Sequence, residues 1–66
     1  MNKKVYYIYV RNVGIITRIY DAHETAQDIF CSLLGEFDMD IIGYDTELIN
    51  VQRLFLDSIL YETYKL

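Results

Sequence analysis

Apolar residues form two short runs in the first part of this chain, which is typical of β-strands. Residues 3–10 are rich in Tyr, Val and Ile, and residues 15–20 have the same character. The tetrapeptide between them, Arg-Asn-Val-Gly, is typical of a turn. The pattern predicts a β-hairpin in which Val10 faces Ile15 across the turn.

This register assigns alternate residues of the two strands to two faces. The predicted core face carries Tyr6, Ile8, Val10, Ile15, Thr17 and Ile19. The opposite face carries Tyr7, Tyr9, Ile16, Arg18 and Tyr20. The second face is unusually aromatic for a surface.

The pattern then changes to the three-to-four-residue spacing of a helix. We expect Asp21 to cap a helix that begins at Ala22, with Glu24 in the capping-box position, and Gly35 to end it. The apolar stripe of this helix consists of Ala22, Ala26, Ile29, Phe30 and Leu33. Acidic and polar residues on its other side would face water.

Residues 36–41 alternate acidic and apolar side chains, which predicts a third strand with Glu36, Asp38 and Asp40 in a row on its outer face. Asp45 or Thr46 then caps a second helix that runs to about residue 64, and its apolar surface wraps wider than one stripe. The predicted fold is α+β, in the order ββαβα. It has a three-stranded antiparallel sheet, strand order 2-1-3, with two helices packed on one face.

The chain length allows one domain, residues 1–66, with a small core. A core of this size stabilises a fold by only about 3–5 kcal/mol, so self-association is an expected further source of stability. The apolar fraction of 53% makes a disordered chain improbable on composition. We therefore expect an ordered domain that forms a homodimer.

Cysteine usage and the N-terminus bear on the cellular compartment. The single cysteine, Cys31, cannot form an intramolecular disulfide, which favours a reducing cytoplasm. The first residues begin like a signal peptide, but Arg11 and Arg18 interrupt the apolar run and no small-residue cleavage site follows. No apolar run reaches the roughly 20 residues that span a bilayer. The sequence predicts an unprocessed cytoplasmic protein without a membrane partner.

Charge is distributed very unevenly along the chain. Residues 1–20 contain four basic and no acidic side chains, whereas residues 21–47 contain eight acidic side chains and no Lys or Arg. The formal net charge is -4. Such asymmetry concerns the choice of partner more than the fold.

Catalytic and metal-binding patterns are weak. Asp38, Asp40 and Gly43 match the start of a calcium loop, but Ile42 and Ile49 occupy its fifth and twelfth positions, where oxygen ligands are needed. We therefore predict no metal, no cofactor and no enzymatic activity.

The two remaining reactive side chains have ordinary explanations. His23 is the only histidine, so no histidine cluster can bind a metal, and a surface position explains it. Cys31 lies in the apolar helical stretch IFCSLL, where a buried and inert thiol is expected.

The clustered acids have two interpretations, one as a binding surface and a simpler one as structural or solubilising residues. Alternate residues of a strand are about 6.7 Å apart, a spacing close to that of successive phosphates, so the acids could imitate a nucleic-acid backbone and enter a basic DNA channel. The simpler interpretation is that they cap helices, keep the chain in solution, or pair with Lys3, Lys4 or Arg18. The predicted anionic surface consists of Glu24, Asp28, Glu36, Asp38, Asp40, Asp45 and Glu47.

The exposed tyrosines are the second set of candidate binding residues. Tyrosine is enriched in the centres of protein interfaces, and the candidate anchors are Tyr7, Tyr9, Tyr20 and Tyr44. One alternative is that these rings cover the sheet or form a homodimer interface. Another is that they stack on bases beside the basic residues of the hairpin.

In size, acidity, Tyr-rich strands and lack of a catalytic motif, the chain resembles the small proteins with which bacteriophages inhibit host enzymes, several of which are acidic DNA mimics. The resemblance concerns the general character of the whole chain. No family motif matches residue by residue, so no functional residue is assigned from the resemblance. It implies a non-enzymatic inhibitor of a host DNA-handling protein, such as a sliding clamp, DNA glycosylase, CRISPR nuclease, polymerase or nucleoid protein. The alternatives are a regulatory or assembly module that homo-oligomerises through the hairpin, and a nucleic-acid binder.

Overall fold

Three strands and two helices make up the fold in the computed structural model, which describes residues 2–65 and the side chains of residues 2–60. The elements are β1 (Lys3–Val10), β2 (Gly14–Asp21), α1 (Ala26–Phe37), a 3₁₀ turn (Asp38–Asp40), β3 (Ile41–Asp45) and α2 (Leu48–Lys65). The sheet is antiparallel with the order β2-β1-β3. The predicted α+β class, the ββαβα element order and the strand order are confirmed.

The hairpin closes one residue earlier than the predicted register. Val10 pairs with Gly14 and Tyr9 pairs with Ile15. The turn places Asn12 at φ 66° and Gly14 at φ 113°, both in the left-handed region that Asn and Gly tolerate best. Because side chains alternate between faces, this shift of one residue moves every side chain of β2 to the face opposite the predicted one.

Both faces of the sheet are consequently apolar, and each is covered by a helix. On one face, Ile8 and Val10 form a buried cluster with Ile29 and Leu33 of α1.

On the other face, the Tyr9 ring lies 5.4 Å from the Phe55 ring of α2, measured between centroids. Neighbouring residues of a strand point to opposite faces, so Ile8 and Tyr9 place α1 and α2 on opposite sides of the sheet. This corrects the prediction that both helices pack on one face.

The first helix begins later than predicted. Thr25, in extended conformation, is the N-cap of α1, and the Thr25 hydroxyl accepts a hydrogen bond from the Asp28 amide at 3.1 Å. The Asp28 carboxylate accepts in return from the Thr25 amide at 3.3 Å, which completes a capping box. Asp21 instead ends β2, where it pairs with Lys3.

The first helix also ends later than predicted, and this removes the predicted acidic strand. Ile29, Leu33 and Phe37 follow each other at intervals of four, and all three pack in the α1 layer of the core, so the helix continues past Gly35. Residues 38–40 form the 3₁₀ turn, and β3 begins only at Ile41. The acids of residues 36–40 therefore lie on a helix end and a turn, and the predicted row along a strand does not form.

The second helix approaches β3 closely at Gly43. A Cβ atom at this position would collide with the Leu54 side chain of α2, so the absence of a side chain allows the contact. Val51, one turn earlier on α2, is fully buried. Among the described residues, no helix is long and apolar enough to cross a membrane.

Candidate functional site

Arg18 compensates the charge of the Glu36 carboxylate within the fold. The Arg18 side chain on β2 donates to the Glu36 carboxylate through its Nε, at 3.1 Å, and also forms an ion pair with it. The Arg18 guanidinium lies 5.3 Å from the centre of the Phe37 ring, a cation–π distance. The hydrogen bond from Arg18 lowers the pKa of Glu36. This pairing matches the simpler interpretation of Glu36.

Three further acids from the predicted anionic surface stabilise local structure. The Glu24 carboxylate accepts from the Asp21 amide at 2.9 Å, and Asp28 completes the capping box of α1. The two oxygens of Asp45 accept from the Glu47 amide and from the Asn50 side chain, both at 3.0 Å. The fold fixes the positions of these three carboxylates.

We expect the Asp45 contacts to make stability depend on pH. Hydrogen bonds from the Glu47 amide and the Asn50 side chain lower the pKa of Asp45 from its ordinary value of 3.8. The carboxylate therefore stabilises the fold at pH values above 3.8, and that contribution is lost as the pH falls through the lowered folded-state pKa. Asp45→Asn should lower the midpoint of thermal unfolding at neutral pH, and its difference from the wild type should disappear in strong acid.

Glu47→Gln is the matched control for this pH experiment. Glu47 is exposed, and its carboxylate makes no hydrogen bond or ion pair with any side chain or amide in the described part of the chain. Thermal unfolding followed by circular dichroism across the acid range should give the same curve for Glu47→Gln and the wild type. A constant difference between Asp45→Asn and the wild type at every pH would contradict the expected role of the carboxylate charge.

Asp38 and Asp40 are the two acids of the 36–40 segment whose carboxylates remain unpaired. Both side chains are exposed and form no hydrogen bond or ion pair with the residues that the structure describes. Their backbones are nevertheless fixed. The Asp38 amide donates to the Leu34 carbonyl, and the Arg11 amide donates to the Asp40 carbonyl at 2.7 Å. The turn therefore presents two carboxylates to solvent from an anchored backbone.

Apolar residues lie beside the Asp38 carboxylate. An open surface pocket of about 300 Å³ lies between the end of α1 and the start of β3, and Asp38 contributes to its wall. Met39, between the two acids, is 79% exposed. We name this surface the acidic-apolar patch: it consists of Asp38, Asp40, Phe30, Leu34, Met39 and Ile42. Free charge beside exposed apolar area is a combination suited to binding another protein.

The predicted tyrosine anchors differ in their exposure and in their contacts within the fold. Tyr9 is only 8% exposed. Tyr20 packs edge-on against Tyr6, and partial burial raises the pKa of Tyr20 against the lowering effect of its hydrogen bond with Ser32. Tyr44 lies between Tyr6 and Phe30. Because of its burial, Tyr9 is unavailable to a partner. Tyr7, Tyr20 and Tyr44 are half-buried, Tyr44 also lines the pocket beside Asp38, and the role of these three as anchors stays a prediction.

The basic residues of the hairpin are also partly paired. Lys3 forms an ion pair with Asp21, as Arg18 does with Glu36. The Lys4 ammonium donates to the Glu24 carbonyl at 3.2 Å. These contacts reduce the positive charge that the hairpin offers to a phosphate backbone.

Sequence reasoning missed one surface, which lies on α2. Ile49, Leu56 and Leu60 are 53%, 57% and 54% exposed, and Arg53 lies among them. We name these four residues the α2 outer stripe. A groove of about 490 Å³ runs beside it and is lined partly by Ile15 of β2 and Phe55. The signal was the wide apolar wrap of the second helix, which exceeds what one face of a small sheet can cover.

No cluster of three or more metal-binding side chains occurs among the described residues. Cys31 is exposed, which corrects the expectation of a buried thiol. The reason is local: α1 places Ile29 and Leu33 against the sheet, and Cys31 lies on another side of the helix.

No protein-family model, curated protein or solved structure matches this chain. Two surfaces in the described part of the chain could bind a partner: the acidic-apolar patch and the α2 outer stripe.

Proposed function

We propose that this chain is a non-enzymatic inhibitor, encoded by a bacteriophage and active in the host cytoplasm, that binds a host DNA-handling protein through its acidic-apolar patch. The observation that carries the proposal is the pair of exposed, unpaired carboxylates of Asp38 and Asp40 on one anchored turn, with Asp38 in the wall of an open apolar pocket. The acidic-apolar patch takes the place of the acidic strand expected from the sequence.

Charge and apolar area would make different contributions to such a complex. A basic DNA channel attracts carboxylates over long distances, which raises the association rate and favours acidic partners over others. Apolar contacts in a desolvated centre slow dissociation, and exposed Met39 with the pocket behind it provides them. Glu47, another exposed acid, lies beyond the far end of β3 and would extend the charged surface along that edge.

The inhibitor proposal is tested by affinity capture from a bacterial lysate treated with nuclease, with and without competing duplex DNA. We expect the chain to capture a DNA-handling protein and to lose it when duplex DNA is added. Capture of a protein that is indifferent to duplex DNA would contradict occupation of a DNA site.

The variant that isolates the acids is Asp38→Asn combined with Asp40→Lys. Asparagine is chosen for position 38 because it has the size and shape of aspartate without the charge, so the backbone at φ 56° receives no larger side chain. We expect at least a tenfold weaker affinity for the captured protein, since one charge is removed and one is reversed in the centre of the contact. Affinity is measured by surface plasmon resonance at two salt concentrations.

Gln27→Lys is the matched control, because it adds a positive charge at an exposed position near the other end of α1. Its affinity should stay within about threefold of the wild type, a change worth less than 1 kcal/mol. Equal affinity of the Asp38→Asn/Asp40→Lys variant and the wild type would remove these two acids from the binding mechanism.

A second candidate function, an assembly or regulatory module that homo-oligomerises, is favoured by the α2 outer stripe. The aromatic faces of the hairpin are covered by α1 and α2, so the hairpin faces are poor sites for self-association. Under this alternative the acids serve mainly to keep the assembly in solution.

A further inference from the structure

The outer stripe of α2 has the spacing of a helix that packs against another helix. Ile49, Arg53, Leu56 and Leu60 follow each other at intervals of four, three and four residues, which are the alternating a and d positions of a heptad. With 3.6 residues per turn, these residues lie about 140–200° around the helix from the fully buried Val51. The stripe therefore lies on the side of α2 opposite Val51, and one of its edges borders the groove that Ile15 of β2 lines.

We propose that a second copy of this chain covers the stripe, with the two α2 helices packed antiparallel about a two-fold axis. This proposal is independent of the inhibitor function proposed above. Self-association is expected for so small a domain. The sequence interpretation placed it on the hairpin, whereas this proposal places it on α2.

A second copy fits the stripe because the stripe is complementary to itself. In an antiparallel pair of helices, each a position packs beside a d position of the partner helix. Ile49 of one copy would lie beside Leu60 of the other, and Leu60 beside Ile49, so the apolar pairs form at both ends of the contact. The two-fold axis closes the assembly at two copies.

The charges of α2 select the antiparallel arrangement. Arg53 and Asp57 are both exposed, and neither forms an ion pair with another side chain that the structure describes. In the antiparallel pair, Arg53 of each copy would lie beside Leu56 and within reach of Asp57 of the other copy, giving two equivalent ion pairs. A parallel pair would instead place the two Arg53 side chains against each other, which is repulsive.

The groove beside the stripe enlarges the contact. It is lined by Ile15, Gln52 and Phe55 together with residues of the stripe, so the apolar area continues from α2 onto β2. The contact is still small, and we expect dissociation constants in the micromolar range, about 1–100 µM.

Sedimentation equilibrium at protein concentrations from about 1 µM to 1 mM tests the proposal. The wild type should change from monomer to dimer over this range. Leu56→Lys, which puts a second positive charge beside Arg53 of the other copy in place of an apolar contact, should raise the dissociation constant at least tenfold. Met39→Lys is the matched control, since Met39 is 79% exposed in the turn after α1, beside a pocket that no residue of α2 lines, and should leave the dissociation constant unchanged.

A charge exchange tests the orientation of the two helices. Arg53→Asp alone and Asp57→Arg alone should each weaken the dimer, because each creates two like-charge contacts. The double variant Arg53→Asp/Asp57→Arg should recover the wild-type constant to within about threefold. Circular dichroism of every variant shows whether it is folded.

Three results would overturn the proposal. The first is a wild-type chain that stays monomeric at the highest concentration. The second is a dimer that Leu56→Lys leaves intact, or that Met39→Lys weakens equally. The third is failure of the folded double variant to recover the dimer, which would exclude the antiparallel contact between Arg53 and Asp57.

Discussion

Replacing Leu33 with alanine is expected to leave little folded protein at room temperature. Leu33 is fully buried and packs with Ile8, Val10 and Ile29 between α1 and the sheet. Truncation of a buried leucine to alanine costs about 2–5 kcal/mol. A domain of this size has only about 3–5 kcal/mol of stability in total, so the loss is comparable to the whole. Urea denaturation followed by circular dichroism measures the change.

Leu34→Ala is the control for the Leu33 experiment, because it makes the same chemical change one residue further along α1. Leu34 is 37% exposed and lies outside the buried cluster. Its truncation should reduce the free energy of unfolding by less than about 1 kcal/mol. Equal losses for the two variants would mean that α1 does not pack through Ile29 and Leu33.

The strands and helices were predictable because their residue composition is typical of each type of element. Val, Ile and Tyr dominate β1 and β2, and a turn sequence separates them, so the hairpin followed directly. The hairpin register was not predictable from composition, since it depends on the left-handed conformations of Asn12 and Gly14. That single backbone detail decides which side chains share a face, and thereby whether one face or two need a helix.

The acids of residues 36–40 were predictable as candidate binding residues but not in their arrangement. Their alternation with Phe37, Met39 and Ile41 fits a strand, while the spacing of Ile29, Leu33 and Phe37 fits a helix. Burial of Phe37 against the sheet favours the helix. The ion pair between Glu36 and Arg18 depends on that outcome, so only the structure separates Glu36 from Asp38 and Asp40.

The exposed apolar residues of α2 were also not predictable from the sequence alone. The sequence shows that apolar residues surround much of the helix, but not which of them the sheet covers. That choice depends on Tyr9 packing against Phe55 and on the close approach of Leu54 to Gly43. Once those contacts fix the rotation of α2, the residues of the outer stripe are the ones left without cover.

Tyr9→Ala is expected to reduce the free energy of unfolding by about 3–5 kcal/mol, as truncation of a large buried aromatic side chain does. The physical reason is that Tyr9, 8% exposed, packs against Phe55 and carries the contact between β1 and α2. With both helices on the other face, Tyr9 would be a surface residue, and its truncation would change stability by less than about 0.5 kcal/mol. Ile19→Ala is the matched control, because Ile19 lies on the same face of the sheet but is 66% exposed, and urea denaturation should show a small loss. A Tyr9→Ala variant as stable as Ile19→Ala would mean that α2 does not cover this face, whereas a large difference supports a helix on each side of the sheet.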